Sequence, residues 1–190
     1  NAHKVEEIET ALNFEGWEFK SLKDAGLVSD PEESGTTFLE NARIKARAAH
    51  ELACAAVLAD DSGLIVDALD GAPGVYSSRY SGVDGDDSAN NAKLLRELSA
   101  VPLAKRTARF ASVLVFIDED GLETVAEGFV EGRIGLVERG EHGFGYDPLF
   151  FPDAYNGEVT MAELTQSQKN AISHRGNALR ELRKKLHPND

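Results

Sequence analysis

Two long strand-like stretches, separated by a short turn, constrain the fold of this chain more than any other feature. Residues 106–117 and 122–134 both have the composition of strands, and residues 110–116 are strongly β-forming. The segment Asp118-Glu-Asp-Gly121 between them is typical of a hairpin turn. Gly128 and Gly132 indicate bends or bulges in the second stretch. The sequence therefore predicts a long central hairpin.

Helices are predicted around this hairpin, which makes the chain α/β. The apolar repeats predict four helices, over residues 3–13, 37–53, 86–99 and 167–186. In the third of these, Ala89, Ala92 and Leu95 are among the predicted repeats. Short strands are predicted over residues 17–20 and 149–151, and residues 138–148 are predicted to form a glycine-rich loop. A length of 190 residues suits a single domain with two lobes.

Charge and cysteine content exclude several classes of function. The formal net charge is −13, which argues against general nucleic-acid binding but not against a small anion held by a local cluster of Lys and Arg. Cys54 is the single cysteine, so the chain can form neither an internal disulfide nor a cysteine-based zinc site, and a reducing compartment is expected. No apolar run approaches the ~18 residues of a membrane span, and no signal peptide is visible.

The segment Ala59-Asp-Asp-Ser-Gly63 is the clearest candidate for chemistry. It lies between two apolar runs, so we predict a buried strand, a tight turn and a second strand. Ligands of α/β sheets bind outside such strand ends. Neighbouring Asp side chains point in different directions, so one can cap the turn while the other faces a cleft and binds a hard cation such as Mg²⁺. Alternatively, both are turn formers.

Lys45 is unusual because it shares the inward face of the predicted helix 37–53 with Phe38 and Ala49. A lysine at such a position either snorkels to solvent or has an anionic partner, and a phosphate would suit it. Arg175 raises the same question, since it lies among the apolar positions of the predicted helix 167–186. A buried arginine needs a partner.

Two further segments combine aromatic, charged and glycine residues. Gly143-Phe-Gly-Tyr-Asp-Pro148 could stack a nucleobase on an aromatic face, or it could be an edge loop with Tyr146 packed inward. Ser173-His-Arg-Gly176 places two donors near a predicted helix, and such donors suit purine carbonyl or phosphate oxygens. A lone histidine is, however, more often structural.

Taken together, six motifs resemble those of the inosine triphosphate pyrophosphatase family, and they occur in that family's order along the whole chain. They are Asn1-x-x-Lys4, Ser34-Gly-Thr-Thr-Phe-Leu-Glu-Asn41, Ala59-Asp-Asp-Ser-Gly63, Gly71-Ala-Pro-Gly-Val-Tyr-Ser-Ser-Arg-Tyr-Ser-Gly82, Gly143-Phe-Gly-Tyr-Asp-Pro148 and Ser173-His-Arg-Gly176. In the family a strand and a Thr-Gly pair precede the first asparagine, and this sequence begins at that asparagine.

The resemblance implies an elongated, two-lobed mixed sheet with flanking helices, and a Mg²⁺-dependent enzyme. Its substrates would be ITP, dITP and XTP, bound between the lobes and hydrolysed to a monophosphate and pyrophosphate. The enzyme would be cytoplasmic and homodimeric, with no nucleic-acid or membrane partner. Two alternatives stay open: a related pyrophosphatase of the Maf type, and a nucleotide-binding module that has lost catalysis.

The resemblance also implies roles for individual residues. Asp61 would be the general base and a metal ligand, with Glu33 or Glu32 as the second carboxylate. The remaining residues would contact substrate: Asn1, Lys4 and Lys45 at the phosphates, Ser62 nearby, and Phe144, Gly145, Tyr146, Asp147, Lys169, His174 and Arg175 around the base. Donors suit the 6-oxo group of hypoxanthine or xanthine, whereas the 6-amino group of adenine would leave them unpaired at a cost of about 1–3 kcal/mol.

Overall fold

The computed structural model describes Ile8, Leu12 and residues 17–187. The chain divides into two compact units. Unit 1 consists of Asn1–Asp61, Ser112–Gly128 and Arg175–Asp190, and unit 2 consists of Ser62–Ala111 and Phe129–His174. The predicted helix over residues 3–13 lies outside the described residues, apart from Ile8 and Leu12, which are both helical.

The predicted central hairpin is confirmed within a four-stranded sheet. The strands are β1 (Val57–Val66), β2 (Thr107–Ile117), β3 (Glu123–Ile134) and β4 (Phe150–Pro152), in the order β1-β2-β3-β4. In the turn between β2 and β3, the N–H of Asp118 donates to the carbonyl of Leu122 at 3.1 Å. Strand β4 pairs antiparallel with β3, with Gly132 opposite Pro152. A mixed α/β fold with an antiparallel sheet and flanking helices is therefore confirmed.

The predicted turn at Asp60-Asp61-Ser62-Gly63 is wrong, because β1 runs without interruption through all four residues. The reason is that each aspartate finds a cationic partner without the chain turning back. Successive side chains of a strand point to opposite faces, so a continuous strand also separates the two carboxylates.

Four α-helices accompany the sheet within the described residues. They are α1 (Phe38–Ala53), α2 (Asp87–Glu97), α3 (Gln166–Ile172) and α4 (His174–Leu186). The single helix predicted over residues 167–186 is wrong, since the extended Ser173 (φ −60°, ψ 149°) separates α3 from α4. The strand predicted over residues 17–20 is also wrong, since these residues join no sheet and the Trp17 ring packs against Phe116 at 5.6 Å.

In unit 1, both faces of β2 are covered by helices. Val113, Val115 and Ile117 pack in one cluster with Ala42 and Ala46 of α1. The alternate residues Leu114 and Phe116 pack in a second cluster with α4, through Ala178, Leu179 and Leu182. Burial on both faces explains why residues 110–117, apart from Ser112, are apolar rather than alternating.

In unit 2, the core collects apolar residues from four strands and α2, including Leu64, Phe110, Ile134 and Phe150. Of the predicted repeat, Leu95 packs partly buried against this core, whereas Ala92 is exposed and its place in the repeat is wrong. The buried residues are Asn90, Asn91 and Leu94 of α2 and Leu98 directly after it. Two of those four residues are asparagines because this part of the helix packs against loop backbone, which needs hydrogen-bond partners. No helix in the described part of the chain is long and apolar enough to cross a membrane.

Candidate functional site

Asp61 and Lys45 form the centre of a candidate site in unit 1. Lys45 Nζ donates to Asp61 Oδ1 at 2.6 Å, so the lysine on the inward face of α1 has an anionic partner. Asp61 is only 8% exposed, and its other carboxylate oxygen, Oδ2, has no hydrogen-bond partner among the described residues. Burial raises the pKa of the Asp61 carboxyl, and the contact with Lys45 opposes that rise. The site thus presents one buried, unengaged carboxylate oxygen.

Glu33 supplies a second carboxylate beside the same lysine. Its Oε1 lies 3.6 Å from Lys45 Nζ, and the Glu33 side chain is one-third exposed. Glu32 is exposed, and its backbone carbonyl accepts from the N–H of Ser34. Of the two glutamates that the sequence left open, the geometry favours Glu33.

The loop that carries Glu33 is attached to the first turn of α1. The N–H of Gly35 donates to Asn41 Oδ1 at 2.8 Å, and Glu40 accepts from the N–H of Thr36 at 2.7 Å. Thr37 and Glu40 form a reciprocal capping box at the start of the helix. A Cβ on Gly35 would lie 2.6 Å from both Asn41 Oδ1 and the Cβ of Glu40, so only glycine fits without a shift.

Asp60 makes different contacts from its chain neighbour Asp61. Its Oδ2 accepts from Arg175 Nε at 3.1 Å and from Arg175 Nη2 at 3.0 Å, and its Oδ1 accepts from the Ser112 hydroxyl at 2.8 Å. Both side chains of the ion pair are almost fully buried. Arg175 therefore has the partner that its position in the sequence required, and that partner is a carboxylate of unit 1.

An open groove in unit 1 is bordered by Glu33, Lys45 and Asp60. The rest of its lining includes residues 17–22, residues 55–59 and the turn residues 118–120. Lys45 therefore faces a surface that a small ligand can reach.

A second cluster, in unit 2, is built on the loop that carries Phe144. Lys169 Nζ lies 2.5 Å from Asp147 Oδ2, and both residues are buried. The same oxygen accepts from the N–H of Phe144 at 2.9 Å. Gly143 has a φ of +82°, and a side chain there would collide with the Asp147 carboxylate. Burial raises the pKa of Asp147, against the opposing effect of Lys169.

The predicted base-binding residues of unit 2 differ in their exposure. The Phe144 ring is 54% exposed, with Lys169 Nζ 4.6 Å from its centroid. Tyr146 is buried and donates its hydroxyl to the carbonyl of Ser77 at 2.8 Å, as the inward-packed alternative predicted. His174 is buried and stacks on Phe110 with ring centroids 5.1 Å apart. Phe144 is therefore the aromatic face available to a ligand in this cluster.

The remaining predicted contacts have simpler placements. Asn1 and Lys4 lie outside the described residues. Ser62 is partly buried and follows Asp61 directly in β1. Gly145 follows Phe144, has a φ of +61°, and uses both of its backbone polar groups in bonds to α2.

Sequence reasoning missed three residues that support these clusters. Ser112 was read only as part of an apolar strand, and Asp87 and Asn91 were not distinguished from the rest of their helix. A polar residue within a continuous apolar strand was the available signal for Ser112. For Asp87 and Asn91 the signal was weak, a spacing of four that places both on one face of a helix.

The residues around Asp61 fit a magnesium ion. Mg²⁺ is usually bound by one or two carboxylates together with substrate phosphates, so it does not need a cage of protein ligands. The unengaged Asp61 Oδ2 and the nearby Glu33 provide such a pair. No cluster of three or more His, Cys, Asp or Glu able to hold a metal occurs among the residues that the structure describes.

Comparison with known proteins connects these clusters to a family. A family model described as the Ham1 family matches residues 1–185. This chain belongs to the Ham1 family. Among its relatives, a protein of Exiguobacterium sibiricum named dITP/XTP pyrophosphatase is 50% identical over 182 residues, which are 96% of this chain and 91% of the relative. A Bacillus subtilis protein of the same name is 48% identical over 187 residues, covering 98% and 93%.

Solved structures of Ham1 proteins have the same fold. The Staphylococcus aureus Ham1 protein matches with a TM-score of 0.90 and 38% identity, over 100% of this chain and 96% of that one. A Mycobacterium abscessus protein described as a nucleoside-triphosphatase and dITP/XTP pyrophosphatase matches with a TM-score of 0.79 and 45% identity, over 94% and 93%. The family resemblance stated from the sequence is therefore confirmed.

Proposed function

We propose that this Ham1 family member is a nucleoside triphosphate pyrophosphatase that removes ITP, dITP and XTP from the nucleotide pool. The observation that carries the proposal is the buried Asp61 carboxylate, with one oxygen on Lys45 and the other unengaged among the described residues. The names of the relatives at about 50% identity support the same substrate class.

The proposed reaction is hydrolysis at the α-phosphorus. The Asp61 carboxylate accepts a proton from water as the water oxygen bonds to that phosphorus. The bond from the α-phosphorus to the bridging oxygen breaks, and pyrophosphate leaves with the bonding electrons. Lys45, held between Asp61 and Glu33, donates to phosphate oxygens and offsets their charge. When bound by Asp61 and Glu33, Mg²⁺ would supply further charge neutralisation at the phosphates.

The purine base is assigned to the cluster in unit 2. The exposed face of Phe144 stacks on the base, a contact worth about 1–3 kcal/mol. The neighbouring Lys169 and Asp147 place a donor and an acceptor beside the ring. The 6-oxo group of a purine would accept a hydrogen bond from Lys169. The 6-amino group of adenine is itself a donor, so it would leave Lys169 without that bond.

The decisive experiment compares dITP, dGTP and dATP as substrates, with and without Mg²⁺, and identifies the phosphorus product by ³¹P NMR. We expect pyrophosphate, formed from dITP in preference to dATP and only with the metal, and the rate on dGTP measures any selection at the 2-position of the purine. Orthophosphate as the product would contradict attack at the α-phosphorus. Equal rates on all three nucleotides would contradict the proposed base selectivity.

The same proposal includes a homodimer in the cytoplasm, as the family resemblance implies. Sedimentation of the purified protein tests the first point, and we expect the mass of two chains. A sedimenting species with the mass of one chain would contradict it. Fractionation of cells that contain the protein tests its location.

A further inference from the structure

Helix α2 holds the loop of Phe144 through both backbone polar groups of Gly145. The N–H of Gly145 donates to Asp87 Oδ2 at 2.7 Å, and its carbonyl accepts from Asn91 Nδ2 at 3.0 Å. Asp87 and Asn91 are four residues apart on α2, so they lie on one face of the helix. The two bonds attach the loop to helix α2 through the N–H and the carbonyl of Gly145.

The residue whose position depends most on this attachment is Phe144. Its ring is 54% exposed, so its position is set by the loop backbone rather than by enclosure in a core. Its own N–H is bound by Asp147, and the next residue along the chain is the anchored Gly145. The carbonyl of Phe144 also accepts from the N–H of Asp147 at 3.3 Å, so loss of the anchor would leave the Phe144 backbone attached through Asp147 and no longer held from α2.

Asn91 is a costly residue to place in a helix for packing alone. It is only 3% exposed, and its Oδ1 has no hydrogen-bond partner among the residues described. Asparagine is a weak helix former, and a buried amide that is only partly satisfied destabilises the fold. The bond from Nδ2 to the carbonyl of Gly145 is the contact that this amide gains in return.

From these contacts we propose that Asp87 and Asn91 are positioning residues for base recognition, which hold Phe144 where it stacks on the purine. The inference rests on the proposed function, because it assigns the base to Phe144. It adds two residues on a helix that carries none of the proposed catalytic groups.

The first test is steady-state kinetics on dITP with Asn91→Ala and Asp87→Ala. We expect KM to rise about three- to tenfold, the effect of losing one hydrogen bond, while kcat changes by less than about twofold. Asp87→Asn keeps an acceptor oxygen and should restore most of the affinity. An unchanged KM in both alanine variants would overturn the proposal, as would a fall in kcat with KM unchanged.

A double-mutant cycle with Phe144→Ala separates positioning from general destabilisation. If Asn91 acts through Phe144, then Asn91→Ala should have little further effect on KM once the ring is removed. Full additivity of the two substitutions would overturn the proposal.

Asn90→Ala is the matched control for the cycle. Asn90 is equally buried on the same helix, but it donates to the carbonyl of Ser78 and accepts from the N–H of Ser81, in a different loop. We expect it to lower Tm without coupling to Phe144. Coupling as large as that of Asn91 would show that the effect is not specific to the Gly145 anchor, and would overturn the proposal.

Calorimetric binding of dITP without Mg²⁺ keeps this inference separate from the proposed function. Weaker binding by Asn91→Ala, coupled to Phe144, would support the positioning role even if the wild-type protein released no pyrophosphate. Normal turnover by the wild-type protein, with unchanged binding and KM in the variants, would overturn the positioning role alone.

Discussion

At the scale of residues, Asp60 and Asp61 are chain neighbours with opposite surroundings. Because they are consecutive in β1, their side chains point to opposite faces of the sheet. Asp60 accepts from Arg175 and from Ser112, and these bonds form a buried network. Asp61 meets Lys45 with one oxygen only. The same residue type is therefore structural on one face and available for chemistry on the other.

Substitution of each aspartate by asparagine should separate the two roles. Asp61→Asn removes the proposed base, so kcat for dITP should fall by at least about a hundredfold. Because burial already raises the pKa of Asp61, the neutral amide suits the same surroundings and Tm should change little. Asp60→Asn removes the buried carboxylate charge that accepts from Arg175 and should lower the free energy of unfolding by about 3–5 kcal/mol.

Kinetics and urea denaturation of the two variants provide the measurements. Activity close to wild type in Asp61→Asn would exclude Asp61 as the base. Equal stability of both variants would contradict the separation of roles.

The two glutamates of the acidic loop make a second matched pair. Only Glu33 lies near Lys45, at 3.6 Å, so Glu33→Gln should weaken metal binding about ten- to a hundredfold, whereas Glu32→Gln should bind metal like the wild type. The readout is titration with Mn²⁺, followed by electron paramagnetic resonance of the free ion. The opposite order of effects would assign the second carboxylate to Glu32.

At the scale of elements, the start of α1 determines where Glu33 lies. Glu40 and Asn41 bind the backbone of residues 35–37, so the loop follows the first turn of the helix rather than moving independently. Gly35, the first residue of this segment, has no space for a side chain. The glycine is thus required by a close approach of the chain to its own helix, not by a left-handed backbone.

Gly35→Ala adds only one methyl group, but we expect it to lower activity substantially. A Cβ at 2.6 Å from Asn41 Oδ1 forces the loop away from α1 and carries Glu33 with it. We expect kcat/KM for dITP to fall about tenfold or more, with a loss of stability of about 1–3 kcal/mol. Ser34→Ala, one residue earlier in the same loop, is the control, and an equal loss of activity in the two variants would contradict this explanation.

At the scale of the whole molecule, the negative net charge of the chain would repel the anionic substrate that we propose. The chain carries a formal net charge of −13, yet Lys45 and Lys169 lie in the candidate clusters. Each of them is paired with a carboxylate, Lys45 with Asp61 and Lys169 with Asp147. We therefore expect attraction of the proposed triphosphate to depend on local cations and on the proposed metal, not on the average charge of the surface.

Much of the architecture was predictable because it depends on local patterns. The central hairpin, α1 and the short strand β4 follow from runs of apolar residues, from turn residues and from a capping box that are all close in the chain. The need of Lys45 and Arg175 for anionic partners was also visible, since a cation at an inward helical position is costly without one. These features can be predicted from the sequence, because each involves residues within one or two elements.

The tertiary structure alone decided which partners meet. Arg175 and Asp60 are 115 residues apart, and no local pattern connects them. Similarly, the continuity of β1 and the break at Ser173 depend on which groups face each strand and helix in three dimensions. By itself the sequence determined the family and most of the helices and strands, and it supplied the carboxylates that we propose for the chemistry. Only packing between distant segments decided that Asp61 keeps one oxygen unengaged while Asp60 is bound, because the surroundings of a buried charge come from the whole fold.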